Sequence, residues 1–580
     1  MDQHENLARG FRLGDHEVHP TTGVVRIPSG EVRIEPRVMD VLVHLARRSG
    51  HVVSMQELLD QVWGGRPVVD GAVVRCISAL RKLFGDTRSG ARYLETIPKR
   101  GYRLLVAPTP ISGLHRTPQE GGRPRLAVLP FQNLSGSTED EIVSDGVTEL
   151  LISALARLGG WRVISRTSVM RFRAQDRSLR DIAAALGVDY VIEGSVLRSG
   201  SRLQIVVQLI DAATDEHVWA DTLQRELGDL LRLQNELTRT LARQIRLQLA
   251  GNDGDRLAAP SSATISNQAM QAYLQGLFWF ARRTGPQLLR AIEKLREAAH
   301  LDPHWEQPWG ALAVAHVVRA LYGEAPPAAA MPAAGEALQE LLRRNPTAPE
   351  AWHVRGAIAF FYGWRFDDAE SALRRAIGEL PSEPMAHLVL GDLLLARGRF
   401  DDAISEAREA LELSPLDVGL NMNLGDFLFA ARRTRDAARQ LTETLELEPS
   451  LAPARVKLAW AHATLGEVER ADGEVAKLAQ SGGVRFLEAN VLVDAVLGRR
   501  ERIEAHFTAL EALQRSTYVS PWTLARCYAI TGRADVAFVH LEQALEERAS
   551  SVVFLAVNPA FDSLRTDPRY ATLLTRIGLN

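Results

Sequence analysis

Cysteine is almost absent: two in 580 residues, Cys76 and Cys527, set in separate regions. That leaves no disulfide framework and no cysteine-rich metal site, and it fits a reducing compartment. Long apolar runs are missing as well. The best candidate, Ala311–Tyr322, is short and carries His316 and Arg319, so no membrane-spanning helix is expected. The opening stretch MDQHENLARGFRLGD is polar and lacks the apolar core of a secretory signal. A cytoplasmic location without a membrane partner is the expectation. Catalytic signatures are also lacking: no GxxxxGK(S/T), no GxGxxG after a strand, no GxSxG and no HExxH. The 15 histidines are scattered. A non-enzymatic chain with no cofactor and no metal is expected.

What is present is ordinary in bulk and uneven in detail. Apolar residues make up 46% and charged residues 24%, as in soluble globular proteins. Single cores rarely grow past roughly 250–300 residues, so several domains are expected. The net charge of −3 does not suggest a polyanion partner. Its distribution does. Between Arg66 and Arg103 stand nine basic residues (Arg66, Arg75, Arg81, Lys82, Arg88, Arg92, Lys99, Arg100, Arg103), opposed by Asp70, Asp86 and Glu95. A local cationic stretch in a mildly acidic chain suits one nucleic-acid-facing module; a solvated basic surface is the plainer alternative.

Two stretches rich in linker residues divide the chain. Residues 108–124 hold four prolines and three glycines without apolar periodicity, and residues 251–264 read GNDGDRLAAPSSAT. The expected layout is a head (1–107), a linker (108–124), a middle domain (125–250), a second linker (251–264) and a body (265–580).

In the head, residues 11–34 alternate short β-like stretches with turn signals, which reads as a small antiparallel sheet. Three helices are predicted next. The first carries Val38, Val41, Leu42 and Leu45 on one face, with Pro36 at its start and Gly50 just past its end. The second has Ser54 as N-cap and Glu57 placed for a capping box. The third runs from an Asp70 cap to a Gly85 stop. At 100° per residue its apolar stripe is Val73, Ile77, Leu80 and Phe84, with Gly71, Arg75, Ser78 and Lys82 opposite and Arg81 on the flank. Such a helix suits a major groove, where arginine can bond a guanine edge and lysine or serine can reach bases or phosphates. Polar outer faces are also usual on surface helices. A predicted hairpin, Tyr93–Ile97 and Tyr102–Leu105 around Pro98-Lys99-Arg100-Gly101, adds two cations at its tip.

These residues together resemble the OmpR/PhoB-type winged helix, especially its ToxR/CadC-like branch. The resemblance rests on Glu35-Pro36-Arg37, on Gly50-His51-Val52-Val53-Ser54 with Leu58-Leu59 and Val62-Trp63-Gly64, on Val73 through Leu83-Phe84-Gly85-Asp86, and on Tyr93 through Arg103. It covers about 95 residues of the 580. The resemblance implies a third helix in the major groove and a wing beside it. It makes Arg75, Ser78, Arg81 and Lys82 recognition-helix candidates and Lys99, Arg100 and Arg103 wing candidates. Val73, Trp63 and Tyr102 read as core. With neither a receiver domain before the head nor a membrane span after it, control by phosphorelay or periplasmic sensing is not expected.

The middle reads as a small mixed α/β domain. Strands are predicted at Leu126–Phe131 and Arg162–Ile164, a helix capped by Ser144 or Asp145, and a helix at Leu179–Leu186. A hairpin, Tyr190–Leu197 with Leu203–Ile210, follows; then come a strand carrying Trp219 and a helix from Glu226 to Leu249. Leu129-Pro130-Phe131, Ser144-Asp145-Gly146, the run Tyr190 to Val196, and Leu209-Ile210-Asp211-Ala212 with Trp219-Ala220 resemble the TolB-like amino-terminal domain. That resemblance implies binding or assembly. Asp145, Glu149 and Glu193 invite a catalytic reading, but no nucleophile, histidine or metal cluster accompanies them, and capping or surface solvation is expected.

The body repeats. Pro381, Pro415 and Pro449 are spaced by 34 residues, as are Ala369, Ala403, Ala437 and Ala471. This is the tetratricopeptide (TPR) period, with small residues where paired helices approach and proline where each unit ends. About eight units are expected, with residues 323–335 (GEAPPAAAMPAAG) as an inserted loop and Asn558–Asn580 as a cap. Stacked pairs make a superhelix suited to a protein or peptide. Trp352, Trp364, Trp460 and Trp522 are expected mostly in the packing between helices.

The fold class expected is therefore multi-domain: an α+β winged helix, a small mixed α/β domain and an all-α TPR superhelix. The expected function is sequence-specific double-stranded DNA binding by a one-component transcriptional regulator. Its body would hold a protein partner or a second copy, and RNA polymerase is a further partner of such a regulator. The alternative is a protein–protein interaction scaffold whose winged helix does not read DNA.

Overall fold

The computed structural model describes residues 11–14, 16–20, 24–27, 30–63, 72–86, 91–98, 100–110, 123–157, 160–173, 177–249, 265–282, 285–322, 324–479 and 482–579. Asp70, Gly71, Lys99, the second linker, and most of the first lie outside them, as does the side chain of Trp63. The chain forms two compact units, Met1–Thr117 and Pro118–Asn580.

In the first unit, β1 (Phe11–Leu13), β2 (His16–His19), β3 (Val24–Ile27) and β4 (Gly30–Arg33) form an antiparallel meander. The helices α1 (Pro36–Arg47), α2 (Met55–Trp63) and α3 (Ala72–Phe84) follow, with β5 (Val52–Val53) between the first two. The hairpin β6 (Leu94–Ile97) and β7 (Gly101–Leu104) joins β5 in a three-stranded sheet of order β5-β7-β6. Thr109 and Pro110, read in the sequence as linker, form β8 and pair with β1. Phe11, Leu13, Leu42, Leu45, Leu58, Ile77, Leu80 and Leu94 are fully buried at the centre. Burial of each such side chain is worth about 1.5–3 kcal/mol. Ser54 caps α2 through the Glu57 amide at 3.1 Å. The Glu57 carboxylate does not complete a capping box: it lies 3.2 Å from His44 Nε2, because α1 packs beside it.

The second unit opens with an α/β module. Its sheet has the order β11 (Arg162–Val163), β9 (Arg125–Val128), β12 (Tyr190–Ser199), β13 (Arg202–Asp211), β14 (His217–Glu226), and β10 (Gln132–Asn133) continues along β12. The first three strands are parallel and the last two antiparallel. The helices are α4 (Thr138–Arg157), α5 (Arg166–Val169), α6 (Leu179–Leu186) and α7 (Leu230–Leu249). Ser144 and Asp145 do not cap α4. The cap is Ser137, whose Oγ accepts from the Asp140 amide at 3.1 Å, and Ser144 and Asp145 lie buried one to two turns inside the helix. Asp145 is tolerated there because Arg166 (3.2 Å) and Arg173 pair with it. It is neither a cap nor a solvated carboxylate.

Eight antiparallel helix pairs follow: α8 (Asn267–Phe280) with α9 (Gly285–Leu301), α10 (Gln307–Leu321) with α11 (Pro327–Arg344), α12 (Glu350–Phe361) with α13 (Phe366–Glu379), α14 (Pro384–Ala396) with α15 (Phe400–Leu413), α16 (Val418–Ala430) with α17 (Thr434–Leu447), α18 (Ala452–Thr464) with α19 (Val468–Ala479), α20 (Gly483–Val496) with α21 (Arg500–Gln514), and α22 (Pro521–Ile530) with α23 (Ala534–Glu546). Residues 323–335 are not an inserted loop. From Pro327 onward they are the first half of α11, which keeps Pro332 inside it. Proline at the first helical position is pre-set for a helix, and Ala330, Met331 and Ala334 are buried. Trp460 and Trp522 are buried in the packing, while Arg375 lies over the Trp352 ring at 4.0 Å.

The module is fastened to the turns between repeats. Glu412 takes Arg125 at 2.9 Å and also Arg162; Arg157 reaches Glu350 at 2.8 Å. The Ser165 amide donates to Leu413 O (2.8 Å), and Arg171 donates to Leu447 O (2.7 Å). At the far end, the 3-10 turns Ser550–Phe554 and Pro559–Leu564 and the helix α24 (Pro568–Arg576) do more than cap the last pair. Phe554 meets Phe360 edge-on at 6.4 Å, Asp562 takes Arg432 at 2.7 Å, and Arg548 lies 4.8 Å over Trp364.

Candidate nucleic-acid interface

The sequence-predicted residues of the head separate into two groups. Helix α3 buries Val73, Cys76, Ile77, Leu80 and Phe84, so its opposite side is presented. Arg75, Ser78 and Lys82 are exposed there. Ser78 Oγ donates to Val74 O at 2.8 Å, a turn back along the helix. Burial raises the Cys76 thiol pKa, in keeping with a core position. Gly85 adopts the left-handed conformation (φ 68°) that ends the helix.

Arg81 and Arg103 are held within the head. Arg81 donates to Thr96 Oγ1 at 2.6 Å and to Leu94 O at 3.3 Å, which ties α3 to the first wing strand. Arg103 bonds Glu95 Oε2 through two nitrogens, at 2.9 and 2.6 Å, across the paired register of β6 and β7. Arg100 is exposed at the hairpin tip. Val73 and Tyr102 are buried.

Two residues outside the predicted contact set, Asp86 and Val74, also shape this surface. Asp86, just past the helix stop, accepts from the amides of Arg92 (3.0 Å), Tyr93 (2.9 Å) and Leu94 (2.7 Å). It thereby sets where the wing starts relative to α3. Its position directly after Gly85 and a few residues before the hairpin was the available signal. Val74 is 40% exposed beside Arg75. An apolar residue on the presented side of such a helix can meet a thymine methyl group, and its place off the apolar stripe was readable.

Gly101 fixes the wing's return. A Cβ there would lie 2.0 Å from Val53 O, and its φ is 138°. No other residue fits this crossing without moving β5.

Three family models match successive stretches of the chain. A family model described as "Transcriptional regulatory protein, C terminal" matches residues 29–104. One described as "HilA/YgeH-like transcriptional regulator, second domain" matches 122–240, and one described as "Tetratricopeptide repeat" matches 354–418 and 422–482. The chain is 31% identical over 262 residues to the "Putative adenylate cyclase 3" of Rhizobium meliloti, covering 44% of this chain and 43% of that protein. It is 25% identical over 303 residues to the transcriptional regulator HilA of Salmonella typhimurium, covering 50% of this chain and 51% of HilA. It is 38% identical over 96 residues to the transcriptional activator CadC of Escherichia coli, covering 16% and 19% respectively. The chain thus spans about half the length of the first two relatives (43% and 51%). Among the described residues no helix is long and apolar enough to cross a membrane, and no cluster of three or more His, Cys, Asp or Glu is placed to hold a metal.

Proposed function

We propose that the chain is a one-component, sequence-specific regulator of transcription that binds double-stranded DNA through its head. The observation that carries this reading is the presented side of α3, where Arg75, Ser78 and Lys82 stand exposed opposite a fully apolar stripe. In this reading Arg75 and Ser78 contact base edges, Lys82 a phosphate or base, and Lys99 and Arg100 the backbone beside the wing. Arg81 and Arg103, engaged by Thr96 and Glu95, position the helix and the wing. The working layout is a head (1–107), a TolB-like middle domain (125–250) and TPR repeats (265–580) joined by linkers 108–124 and 251–264. The repeats take a protein partner or a second copy of the chain, and RNA polymerase is the partner expected once the head is on a promoter. The relatives named as transcriptional regulators support this reading. The test is duplex binding at several salt concentrations. A DNA reader loses affinity steeply as salt rises and prefers some sequences. A weak response, flat in salt and indifferent to sequence, refutes it in favour of a protein-docking scaffold.

A further inference from the structure

The α/β module contains a crevice that DNA reading does not use. Its three parallel strands have the order β11-β9-β12. The chain leaves β9 through α4 to reach β11 on one side, then returns through α5 and α6 to β12 on the other. Neighbouring connections therefore diverge between β9 and β12. In open α/β sheets, that divergence at the carboxyl ends of the strands is where a ligand crevice forms. Here the chain leaves the ladder after Val128 and rejoins β12 at Gln132, pairing with Ser195. The excursion walls an open cleft of about 720 Å³, within the roughly 300–1,000 Å³ range of small-molecule sites.

The lining is amphipathic and sorted by charge. Phe131 and Phe172 supply apolar walls. Gly194 makes room for the first: a Cβ there would lie 2.5 Å from the Phe131 ring and 2.2 Å from Val206 O. Four charged residues line the cleft. Two of them, Glu141 and Arg173, pair with each other at 2.7 Å. Glu193 and Arg177 remain. Glu193 stands directly opposite Gln208 in the β12–β13 register, so both side chains rise from one side of the sheet. Gln208 Oε1 is buried and has no hydrogen-bond partner among the described residues. A buried acceptor left unmatched is unfavourable, so it marks a place for a donor. Arg177 is held 5.9 Å over the Phe172 ring.

We propose that this cleft binds a small zwitterion of the α-amino-acid class. Its ammonium donates to the Glu193 carboxylate and Gln208 Oε1, its carboxylate meets Arg177, and its side chain lies against Phe131 and Phe172. The module would then be the sensing part of the chain.

The test uses the full-length protein without DNA, so its outcome is independent of the head. Each of the twenty standard amino acids is added at about 5 mM, and the thermal transition is followed, since a ligand specific to the folded state raises it. At least one is expected to raise the midpoint, while its deaminated acid and its decarboxylated amine do not. By calorimetry, Glu193→Gln is expected to weaken that amino acid at least about tenfold. Arg177→Gln, at an exposed rim position, is expected to do the same without changing the unliganded midpoint. The proposal is overturned if no amino acid shifts the transition, if the deaminated acid or the amine binds as well as the parent, or if affinity survives Arg177→Gln unchanged.

Discussion

Arg81 and Thr96 are joined guanidinium to hydroxyl at 2.6 Å, across fifteen residues of chain. With the Leu94 carbonyl as a second acceptor, this contact ties the helix to the wing. Hydrogen bonds to a charged group contribute about 1.5–3 kcal/mol. Arg81→Ala is therefore expected to speed amide hydrogen exchange along α3 and β6 and to weaken every duplex by a similar factor. A loss confined to one base position would place Arg81 in base reading instead.

Arg75 carries the opposite expectation. Arg75→Ala is expected to cost about 1–3 kcal/mol at one base position and to relax preference there. Lys99→Ala is expected to weaken all duplexes alike and reduce the salt slope by about one. Selection from randomised duplexes, repeated for each variant, separates the two. Unchanged preference after Arg75→Ala would mean that α3 does not present Arg75 to the bases.

At Gly101 a methyl group would lie 2.0 Å from the Val53 carbonyl. Gly101→Ala is expected to part β7 from β5 and destabilise the head by about 2–4 kcal/mol, with loss of duplex binding. Intact binding with a normal unfolding midpoint would refute the crowding argument.

Acid should loosen the repeats through His316. Burial, reinforced by the Arg296 and Arg319 charges, lowers its pKa from 6.5 to about 4. Between those values the unfolded imidazole holds a proton that the folded one refuses. Stability is thus fully present above about pH 6.5 and falls as pH drops toward 4, by about 3 kcal/mol at most. His316→Leu is expected to flatten this slope. Denaturant titrations at pH 7 and pH 5 would decide it, and an unchanged slope would assign the loss to other groups.

Features carried by local rules were legible in the sequence. The stripe of α3, the glycine stops at Gly50 and Gly85, and the 34-residue proline spacing each follow from a period or a backbone preference. What escaped depends on partners distant in the chain. Asp145 looks like a cap residue, yet Arg166 and Arg173, twenty or more positions later, allow it inside a helix. Pro332 looks like a breaker, yet buried neighbours hold α11 together around it. For the head, exposure of Arg75 and Lys82 could be read from the helical wheel. The capture of Arg81 by Thr96 could not, because it depends on how the hairpin folds back. The seating of the α/β module on Glu412 is of the same kind: that glutamate reads as an ordinary outward residue of its repeat until Arg125 and Arg162 arrive from almost 300 and 250 positions earlier.

Open solenoids melt from their ends, since each repeat leans on its neighbours alone. Here Asp562 grips Arg432 and Phe554 rests on Phe360, so the terminal turns brace repeats far upstream of them. In an array clasped in this way, cutting the chain after residue 549 would uncover α22, where Phe561 packs on Trp522 at 4.9 Å, and would also be felt in α12 to α16, well away from the cut.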